Sequence, residues 1–503
     1  MLDSRASGVL LHPTSLPSRF GIGDLGQNAY QFVDFLANSD QQLWQILPIG
    51  PTGFGNSPYL SYSALAGNPL LISPEILQDE GLLTAADLSN LPQFPLDRVD
   101  FDQVIATKIP LLRRGCDRFK TQASTKQLAE FQRFCDRHND WLSDYALFMS
   151  LKEVNHGRSW NQWNKNIANR QPQAISDWTS KLADAIFFHK FVQYQFFYQW
   201  TNLKDYANQK GIQIFGDIPI YVAHDSVDVW AHREIFRLDE KTGEAALMAG
   251  VPPDYFSETG QLWGNPVYNW EELEKTDFKW WIRRIKGMLE YVDIMRIDHF
   301  RGFEAYWAVP QGEKTAMNGT WLEAPGAKFF TLLEKQLGKL PIVAEDLGVI
   351  TPEVEALRDQ FNFPGMKILQ FAFDSDRANG FLPFNFANRN CIVYTGTHDN
   401  NTTVGWFHER SPEAQAKVVD YFGCICEDGI HWALIRLAMA SVGNITVMPF
   451  QDILGLGTDA KMNTPSQPEG NWGWRCRREA FNDELSGRMK YLTHLYGRSP
   501  QER

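Results

Sequence analysis

The stretch Val292-Asp293-Ile294-Met295-Arg296-Ile297-Asp298-His299 decides the fold that this sequence predicts. It is a short apolar run with the length and composition of a buried strand, and it ends in charged residues. Other runs of the same kind occur along the chain and bring the total to eight. They are residues 8–12, 43–48, 212–217, 340–346, 366–371, 391–395 and 445–449.

Segments with helical spacing lie between most of these runs. Residues 28–39 carry apolar side chains at helical intervals, and residues 276–291 form an amphipathic pattern. Thr351, followed by Pro352 and Glu353, is a helix-start signal after the fifth run. Strands that alternate with helices pair in parallel. Eight of them predict an α/β fold of the (β/α)8 TIM-barrel type rather than an open sheet.

The spacing of the runs is uneven, which predicts large insertions in a single catalytic barrel spanning residues 1–503. Residues 52–210, after the second run, are far longer than one crossover helix requires, and they predict a mainly helical insertion subdomain. Residues 231–274, after the third run, are expected to hold a hairpin turn at 239–244. From Ala249 onward a loop is expected, of a length that is more often functional than a plain connection.

The composition excludes several classes of protein. The 503 residues include 48 Lys and Arg against 60 Asp and Glu, a formal charge of −12. This charge argues against nucleic-acid partners and against a polybasic membrane surface. Free thiols are predicted, because the closest cysteine pair, Cys424 and Cys426, lacks the second pair that a zinc site needs. No apolar stretch of about 20 residues occurs, so we expect no membrane association and a cytoplasmic location.

Aromatic residues are frequent, with 17 Trp, 16 Tyr and 34 Phe. They predict either a large packed core or a cleft that stacks flat ligands, and the acidic charge favours sugars over nucleobases as those ligands. Phe187, Phe191 and Tyr194 lie at helical spacing, which favours a place in the core for these three side chains.

Polar residues that end the apolar runs are the candidate functional residues, because active sites of parallel barrels lie at the carboxyl ends of the strands. Carboxylates dominate the set and favour glycoside chemistry, in which one carboxylate attacks the anomeric carbon and another protonates the leaving oxygen. A metal site is the competing use of such a cluster, but no ligand spacing of the H-x-x-x-H type is present. The set comprises Asp217, Arg296, Asp298, His299, Glu345, Asp346, His398 and Asp399.

Each of these motifs also has a structural explanation. Arg296 and Asp298 lie on the same face of one strand and could form a structural salt bridge. Asp346 could cap the helix that follows it, and residues 397–400 could be a plain Asx-turn. The occurrence of three such motifs at successive strand ends favours a functional site.

Three segments resemble signature segments of the α-amylase superfamily, and in detail those of its amylomaltase branch, the 4-α-glucanotransferases or disproportionating enzymes. They are Arg296-Ile297-Asp298-His299-Phe300-Arg301-Gly302, Ala344-Glu345-Asp346-Leu347-Gly348 and Thr397-His398-Asp399-Asn400. Further segments resemble the same family, so the resemblance covers nearly the whole chain. These are residues 8–17, 51–59, 215–219, 250–254, 264–266 and 462–465.

The resemblance implies a role for each catalytic residue. Asp298 would be the nucleophile that forms a covalent glucosyl-enzyme intermediate with retention of the α configuration. Glu345 would be the general acid and then the base that activates the acceptor hydroxyl. Asp399 would bind donor-sugar hydroxyls and stabilise the oxocarbenium-like transition state, and Arg296 and His398 would position the nucleophile and the sugar.

The resemblance also implies a set of residues that contact sugars. Tyr59 would stack on the donor ring, and Tyr255 and Phe256 in the long loop would cover the acceptor site and exclude water. Many relatives have Tyr at the position of Phe54, where it is associated with a secondary glucan groove, so Phe54 predicts a weakened or altered groove. The expected substrate-binding residues are Ser57, Tyr59, Asp217, Asp254, Tyr255, Phe256, Trp263, Arg296, Asp374, His398 and Asn463.

The activity that the resemblance implies is transfer of α-1,4-glucan segments from a donor malto-oligosaccharide to the 4-hydroxyl of an acceptor glucan or glucose. The expected partners are malto-oligosaccharides, amylose and glucans derived from starch or glycogen, and the chain is expected to be a monomer or a small homo-oligomer. No cofactor and no metal are expected, because carboxylates supply the chemistry. The alternatives are a hydrolase of the α-amylase type and a non-catalytic glucan-binding protein.

Overall fold

Twelve strands form two sheets in the part of the chain that the structure describes, which comprises residues 2–253, 257–425, 428–467 and 469–500. The structure is a computed structural model. In chain order the strands are β1 (Ala6–Leu10), β2 (Leu43–Gln45), β3 (Gln213–Pro219), β4 (Leu247–Val251), β5 (Gln261–Pro266), β6 (Ile294–Asp298), β7 (Ala305–Pro310), β8 (Thr320–Glu323), β9 (Ile342–Ala344), β10 (Gly365–Ile368), β11 (Cys391–Tyr394) and β12 (Ile445–Pro449).

Eight parallel strands form a barrel in the order β10-β11-β12-β1-β2-β3-β6-β9. The Ala344 N–H, at the end of β9, donates to the Pro364 carbonyl, directly before β10, at 2.9 Å and brings the two outer strands together. Each of the eight predicted runs overlaps one strand of this barrel. The prediction of a (β/α)8 barrel is therefore confirmed.

Side chains alternate between the inside and the outside of the barrel, as strand geometry requires. Leu10, Phe215 and Ile294 belong to one buried cluster that fills the barrel interior. Val9 and Ile214, one position earlier on their strands, belong to a second and larger cluster between the strands and the surrounding helices. Every second residue after these interior positions faces the same way. Polar residues at such positions near the ends of the strands therefore point toward the mouth of the barrel.

Helices surround the barrel and fill the long connections. In chain order the α-helices are α1 (Gln27–Asn38), α2 (Pro74–Asp79), α3 (Phe101–Gln122), α4 (Thr125–Arg137), α5 (Asn139–Val154), α6 (Lys165–Ala168), α7 (Pro172–Lys181), α8 (Ala183–Gln209), α9 (Val227–Ala231), α10 (Trp270–Lys275), α11 (Lys279–Tyr291), α12 (Gly326–Leu337), α13 (Pro352–Gln360), α14 (Thr403–Glu409), α15 (Pro412–Phe422), α16 (Ile430–Ala440), α17 (Phe450–Ile453) and α18 (Asp483–Leu495).

Helix positions agree with the sequence patterns where those patterns were strong. Helix α1 begins and ends one residue before the predicted segment, α11 lies within its predicted segment, and α13 begins at Pro352 after Thr351, as the start signal indicates. Helices α2 to α8 lie between β2 and β3, and Phe191 of α8 is completely buried. The division of this segment into a separate subdomain stays a prediction. No helix in the described ranges has both the length and the apolarity needed to cross a bilayer.

A second, antiparallel sheet in the order β5-β4-β7-β8 was not predicted from the sequence. The expected turn at 239–244 is present, since Leu238 and Ala245 form an antiparallel bridge and the Asp239 N–H donates to the Glu244 carbonyl. The loop begins later than predicted, because Ala249 lies inside β4, where Gly250 pairs with both β5 and β7. These strands are short, and their pairing joins the insertion after β3 to the connection between β6 and β9, so they leave little periodic signal.

Candidate active site

Arg296 lies at the centre of a charged cluster at the carboxyl end of the barrel. One of its guanidinium nitrogens donates to both oxygens of Asp217, on the neighbouring strand β3, at 2.7 and 2.8 Å. Another lies 2.8 Å from the Asp298 carboxylate, two residues along β6. Burial alone would lower the pKa of Arg296, but the two carboxylates raise this pKa well above its usual range. The arginine therefore remains charged and holds both carboxylates.

The register of the barrel explains why these residues meet. Asp217 pairs with Arg296 across β3 and β6, and Pro219 pairs with Asp298. Since Asp217 and Arg296 occupy inward positions on adjacent parallel strands, their side chains lie side by side above the apolar interior. The predicted salt bridge between Arg296 and Asp298 is present, and it forms one part of a larger network.

Glu345 follows β9 and is held by backbone donors. The His299 N–H donates to its Oε2 atom at 2.7 Å, and the Leu347 N–H donates to its Oε1 atom at 2.8 Å. Burial raises the pKa of Glu345 to about 7, and the nearby Asp298 charge acts in the same direction, whereas Arg296 and the two N–H donors oppose the rise. The result is a carboxyl group that carries its proton at neutral pH more readily than an ordinary glutamate does.

His398 and Asp399 form an ion pair after β11. The His398 Nε2 atom lies 3.3 Å from the Asp399 carboxylate, and the Asn463 side-chain amide donates to the other Asp399 oxygen at 2.7 Å. Burial would lower the pKa of the His398 imidazole, but Asp399 raises it above its usual value. Burial also opposes ionisation of Asp399, yet His398 and Asn463 hold the pKa of Asp399 well below its usual range. Asp399 is therefore ionised, and half of its side chain is open to solvent.

Tyr59 connects the two charged groups. Its hydroxyl donates to Asp217 at 2.7 Å and lies 3.4 Å from the His398 Nδ1 atom. The Tyr59 ring stacks on the His398 imidazole with centroids 4.9 Å apart and planes 21° apart. Trp472, which the sequence analysis missed, packs near both rings at centroid distances of 5.9 and 6.0 Å. Its proximity in sequence to Asn463 was the only signal that could have identified it.

Other predicted residues lie at the edge of this cluster. Trp263, on β5, meets the His299 imidazole edge to face at a centroid distance of 4.8 Å. The Ser57 hydroxyl accepts a hydrogen bond from the Tyr59 N–H at 3.3 Å. Asp374 is ion-paired with Arg410 at 2.9 Å, and no hydrogen bond or ion pair joins it to the cluster in the described part of the chain.

Some predictions cannot be located, and one structural explanation is wrong. Asp254, Tyr255, Phe256 and the Phe54 side chain lie outside what the structure describes. Asp346 does not cap a helix, because its carboxylate accepts from the Met366 N–H and pairs with Arg358 at 2.5 Å. Across the described residues, no group of three or more His, Cys, Asp or Glu side chains has the arrangement of a metal site.

Chemically, the cluster contains carboxyl groups in different environments. Asp298 is salt-bridged to a permanently charged guanidinium, whereas Glu345 is buried against backbone donors and has a raised pKa. Carboxyl groups whose environments differ in this way can act as nucleophile and proton donor, respectively. Asp399, whose pKa lies below its usual range, adds an ionised carboxylate that can stabilise positive charge on a sugar ring.

Comparison with known proteins agrees with this chemistry. The model of glycoside hydrolase family 77, described as 4-alpha-glucanotransferase, matches residues 11–480. The chain belongs to the 4-alpha-glucanotransferase family. It is 62% identical over 499 residues to the 4-alpha-glucanotransferase of Synechocystis, with 99% of each chain covered. It is 43% identical over 505 residues to the chloroplastic/amyloplastic 4-alpha-glucanotransferase of Solanum tuberosum, covering 99% of this chain and 87% of the relative.

A solved structure supports the same assignment. Amylomaltase from Streptococcus agalactiae in complex with acarbose is 41% identical, covers 99% of this chain and 100% of its own, and superposes with a TM-score of 0.95. The chain is therefore an enzyme of the 4-alpha-glucanotransferase family, which acts on α-1,4-glucans. The hydrolase and binding-protein alternatives are not favoured by these relatives.

Proposed function

We propose that the cluster around Arg296 is the active centre with which this 4-alpha-glucanotransferase transfers a glucan segment with retention of configuration. The observation that carries the proposal is the contrast between Asp298, salt-bridged to Arg296 at 2.8 Å, and Glu345, whose pKa burial raises to about 7. A retaining transfer needs one carboxylate that attacks and one carboxyl group that delivers a proton.

In the first step, an Asp298 oxygen attacks the anomeric carbon of the donor glucan. The glycosidic bond breaks, and the Glu345 proton passes to the leaving 4-oxygen, so that the released chain leaves neutral. In the second step, the Glu345 carboxylate takes the proton of an acceptor 4-hydroxyl, whose oxygen displaces Asp298 from the anomeric carbon. Both residues then return to their starting states, and the α configuration is retained after two inversions.

The remaining residues bind and orient the donor sugar. The ionised Asp399, with half of its side chain exposed, is suited to accept hydrogen bonds from sugar hydroxyls and to stabilise the oxocarbenium-like transition state. The Tyr59 ring provides an aromatic face, which is fixed by its stacking on His398. The set of substrate residues at Ser57, Asp217, Trp263, Asp374 and Asn463 remains a proposal.

The expected substrates are malto-oligosaccharides, amylose and glucans derived from starch or glycogen. We expect a monomer or a small homo-oligomer. The cytoplasmic location also remains a prediction, since the potato relative is named as chloroplastic/amyloplastic.

Incubation with maltotriose tests the proposal. Glucose together with oligomers longer than maltotriose is the expected result, whereas only shorter sugars would identify a hydrolase and no change a binding protein. Glu345→Gln is expected to lower turnover by about 10³-fold or more, because the proton donor is removed, while acarbose binding is retained. Exposed Glu355, on α13, supplies the control, and Glu355→Gln should leave turnover unchanged. Normal transfer by Glu345→Gln would exclude the proposed acid/base role.

A further inference from the structure

Asp452 is a buried carboxylate that the catalytic scheme does not use. It lies in the short helix α17, directly after β12, and is 1% exposed. The Thr395 hydroxyl donates to its Oδ2 atom at 2.6 Å and the Thr403 hydroxyl to the same atom at 2.8 Å. The Thr403 N–H donates to its Oδ1 atom at 2.6 Å. In the described part of the chain no Lys, Arg or His forms an ion pair with it.

The two threonines mark both ends of one loop. Thr395 directly follows β11, and Thr403 is the first residue of α14. The intervening residues 396–402 include His398 and Asp399. The Asp452 side chain, which follows β12, therefore connects both ends of this loop to the end of β12. For a loop, fixing both ends removes most of its conformational freedom.

Bonds within the loop and beneath it complete the support. The Asn400 side-chain oxygen accepts from the Thr397 N–H and the Thr397 hydroxyl, both at 2.8 Å. The Gln370 side-chain amide donates to the Asn401 carbonyl at 2.9 Å. Asp399 itself bonds to its own loop neighbour His398 and to Asn463. The position of the half-exposed Asp399 carboxylate thus depends on how rigidly its loop is held.

A purely structural role explains this arrangement poorly. Burial raises the pKa of Asp452, and its hydrogen bonds from Thr395 and Thr403 only partly oppose this, so the carboxylate is a costly way to fill the space. Apolar side chains of similar volume often fill such a space at equal or lower cost in stability. Apolar side chains cannot accept hydrogen bonds. Asp452 accepts hydrogen bonds from Thr395 and from Thr403 at the same time.

We propose that Asp452 is a positioning residue for the transfer reaction, which acts by clamping the loop 396–402 so that His398 and Asp399 meet the donor sugar in their working geometry. The inference rests on the proposed role of Asp399. Displacement of a transition-state-stabilising group by about 1 Å can lower a rate 100-fold.

Asp452→Asn tests the clamp and should lower kcat about 10- to 100-fold while KM changes less than about 3-fold, since the transition state is affected more than the ground state. The matched control is Asp293→Asn at the other end of the barrel. Asp293 also accepts a backbone hydrogen bond, from the Ile214 N–H at 2.8 Å, and pairs with Lys204 at 3.2 Å. This control should leave kcat within about 2-fold of the parent enzyme.

A second pair of variants separates positioning from stability if Asp452→Asn fails to fold. Thr403→Ser keeps the hydroxyl that reaches Asp452 but loses a buried methyl group, whereas Thr403→Val keeps the shape but loses the hydroxyl. The clamp predicts that Thr403→Ser retains kcat and that Thr403→Val lowers it several-fold, with both variants shown to be folded by thermal unfolding. Equal kcat in the two folded variants would overturn the clamp.

Asp399→Asn distinguishes failure of this inference from failure of the proposed function. If Asp399→Asn retains full kcat, the proposed role of Asp399 is wrong and the clamp has no catalytic purpose. If Asp399→Asn is nearly inactive while folded Asp452→Asn stays within about 2-fold of the parent, only the clamp is wrong. If the clamp acts through Asp399, Asp452→Asn should cost much less in the Asp399→Asn background than alone.

Discussion

Each end of the barrel contains a buried arginine, but the two arginines have opposite kinds of partner. At the carboxyl end, Arg296 is held by the carboxylates of Asp217 and Asp298. At the amino end, Arg498 is completely buried and donates only to backbone carbonyls, at 2.8 to 3.2 Å. These carbonyls belong to Ala6, Met439, Ser441, Gly443 and Asn444.

The difference in partners shows how one side chain serves two purposes. The neutral carbonyls accept from all the donors of Arg498 and connect it to β1, to the end of α16 and to the residues before β12, while burial lowers the pKa of Arg498. At the carboxyl end, Arg296 joins two carboxyl groups beside Glu345, whose pKa is raised mainly by burial; the Asp298 charge adds to this rise and Arg296 opposes it. Negative charge also favours an oxocarbenium-like transition state. The carbonyl partners of Arg498 therefore stabilise the barrel, whereas the carboxylate partners of Arg296 form part of the proposed active centre.

Arg296→Met is the variant with the largest expected effect. Loss of the guanidinium releases Asp298 and leaves the fully buried Asp217 without its charged partner. We expect kcat/KM for maltotriose to fall about 10³-fold, the scale of losing a preorganised electrostatic contact. Initial rates on folded protein, with folding checked by thermal unfolding, give the measurement. A decrease in kcat/KM of less than about 10-fold would mean that Arg296, like Arg498, has a structural role and not a catalytic one.

The pH dependence gives the next largest effect. Because the pKa of Glu345 is raised to about 7, the acid form needed for the first step predominates below pH 7 and is lost above it. The value of kcat/KM should therefore fall about 10-fold per pH unit above pH 7. Arg498→Met should show the same decrease in kcat/KM above pH 7, because Arg498 is not among the groups that shift the pKa of Glu345. A profile that stays flat to pH 8.5 would contradict the assignment of Glu345.

The same contrast explains what the sequence could predict. The eight strands were predictable because each buried run is apolar and ends in polar residues, and the positions of Arg296 and Asp298 follow from strand periodicity. Arg498 was not predictable, since a charged residue near a terminus carries no sign of burial. Trp472 and Asp452 were missed for a related reason: their partners, His398 and Thr403, lie far away in sequence. Contacts between residues far apart in sequence leave no local pattern.

Arg498→Met is expected to have the smallest effect on catalysis and a clear effect on stability. Five buried carbonyls lose one donor each, and those of Met439, Ser441 and Asn444 keep a second donor from Arg5 or the Ala6 N–H. A buried charge is also removed, so we expect the free energy of unfolding to fall by about 2–4 kcal/mol. The value of kcat below the unfolding temperature should stay within about 2-fold of the parent, because no active-site residue contacts Arg498. Urea unfolding and initial rates measure the two quantities.

Arg498→Lys sharpens the comparison, since it keeps the charge but replaces a five-donor planar group with a single ammonium. If charge were what matters at the amino end, this variant would be as stable as the parent. We expect it to lose stability on the scale of Arg498→Met, because an ammonium has three donors on one nitrogen and cannot satisfy the five carbonyls that the three guanidinium nitrogens of Arg498 reach. A drop in kcat without a drop in stability would mean that the amino end takes part in catalysis, and the division of roles between the two arginines would then be wrong.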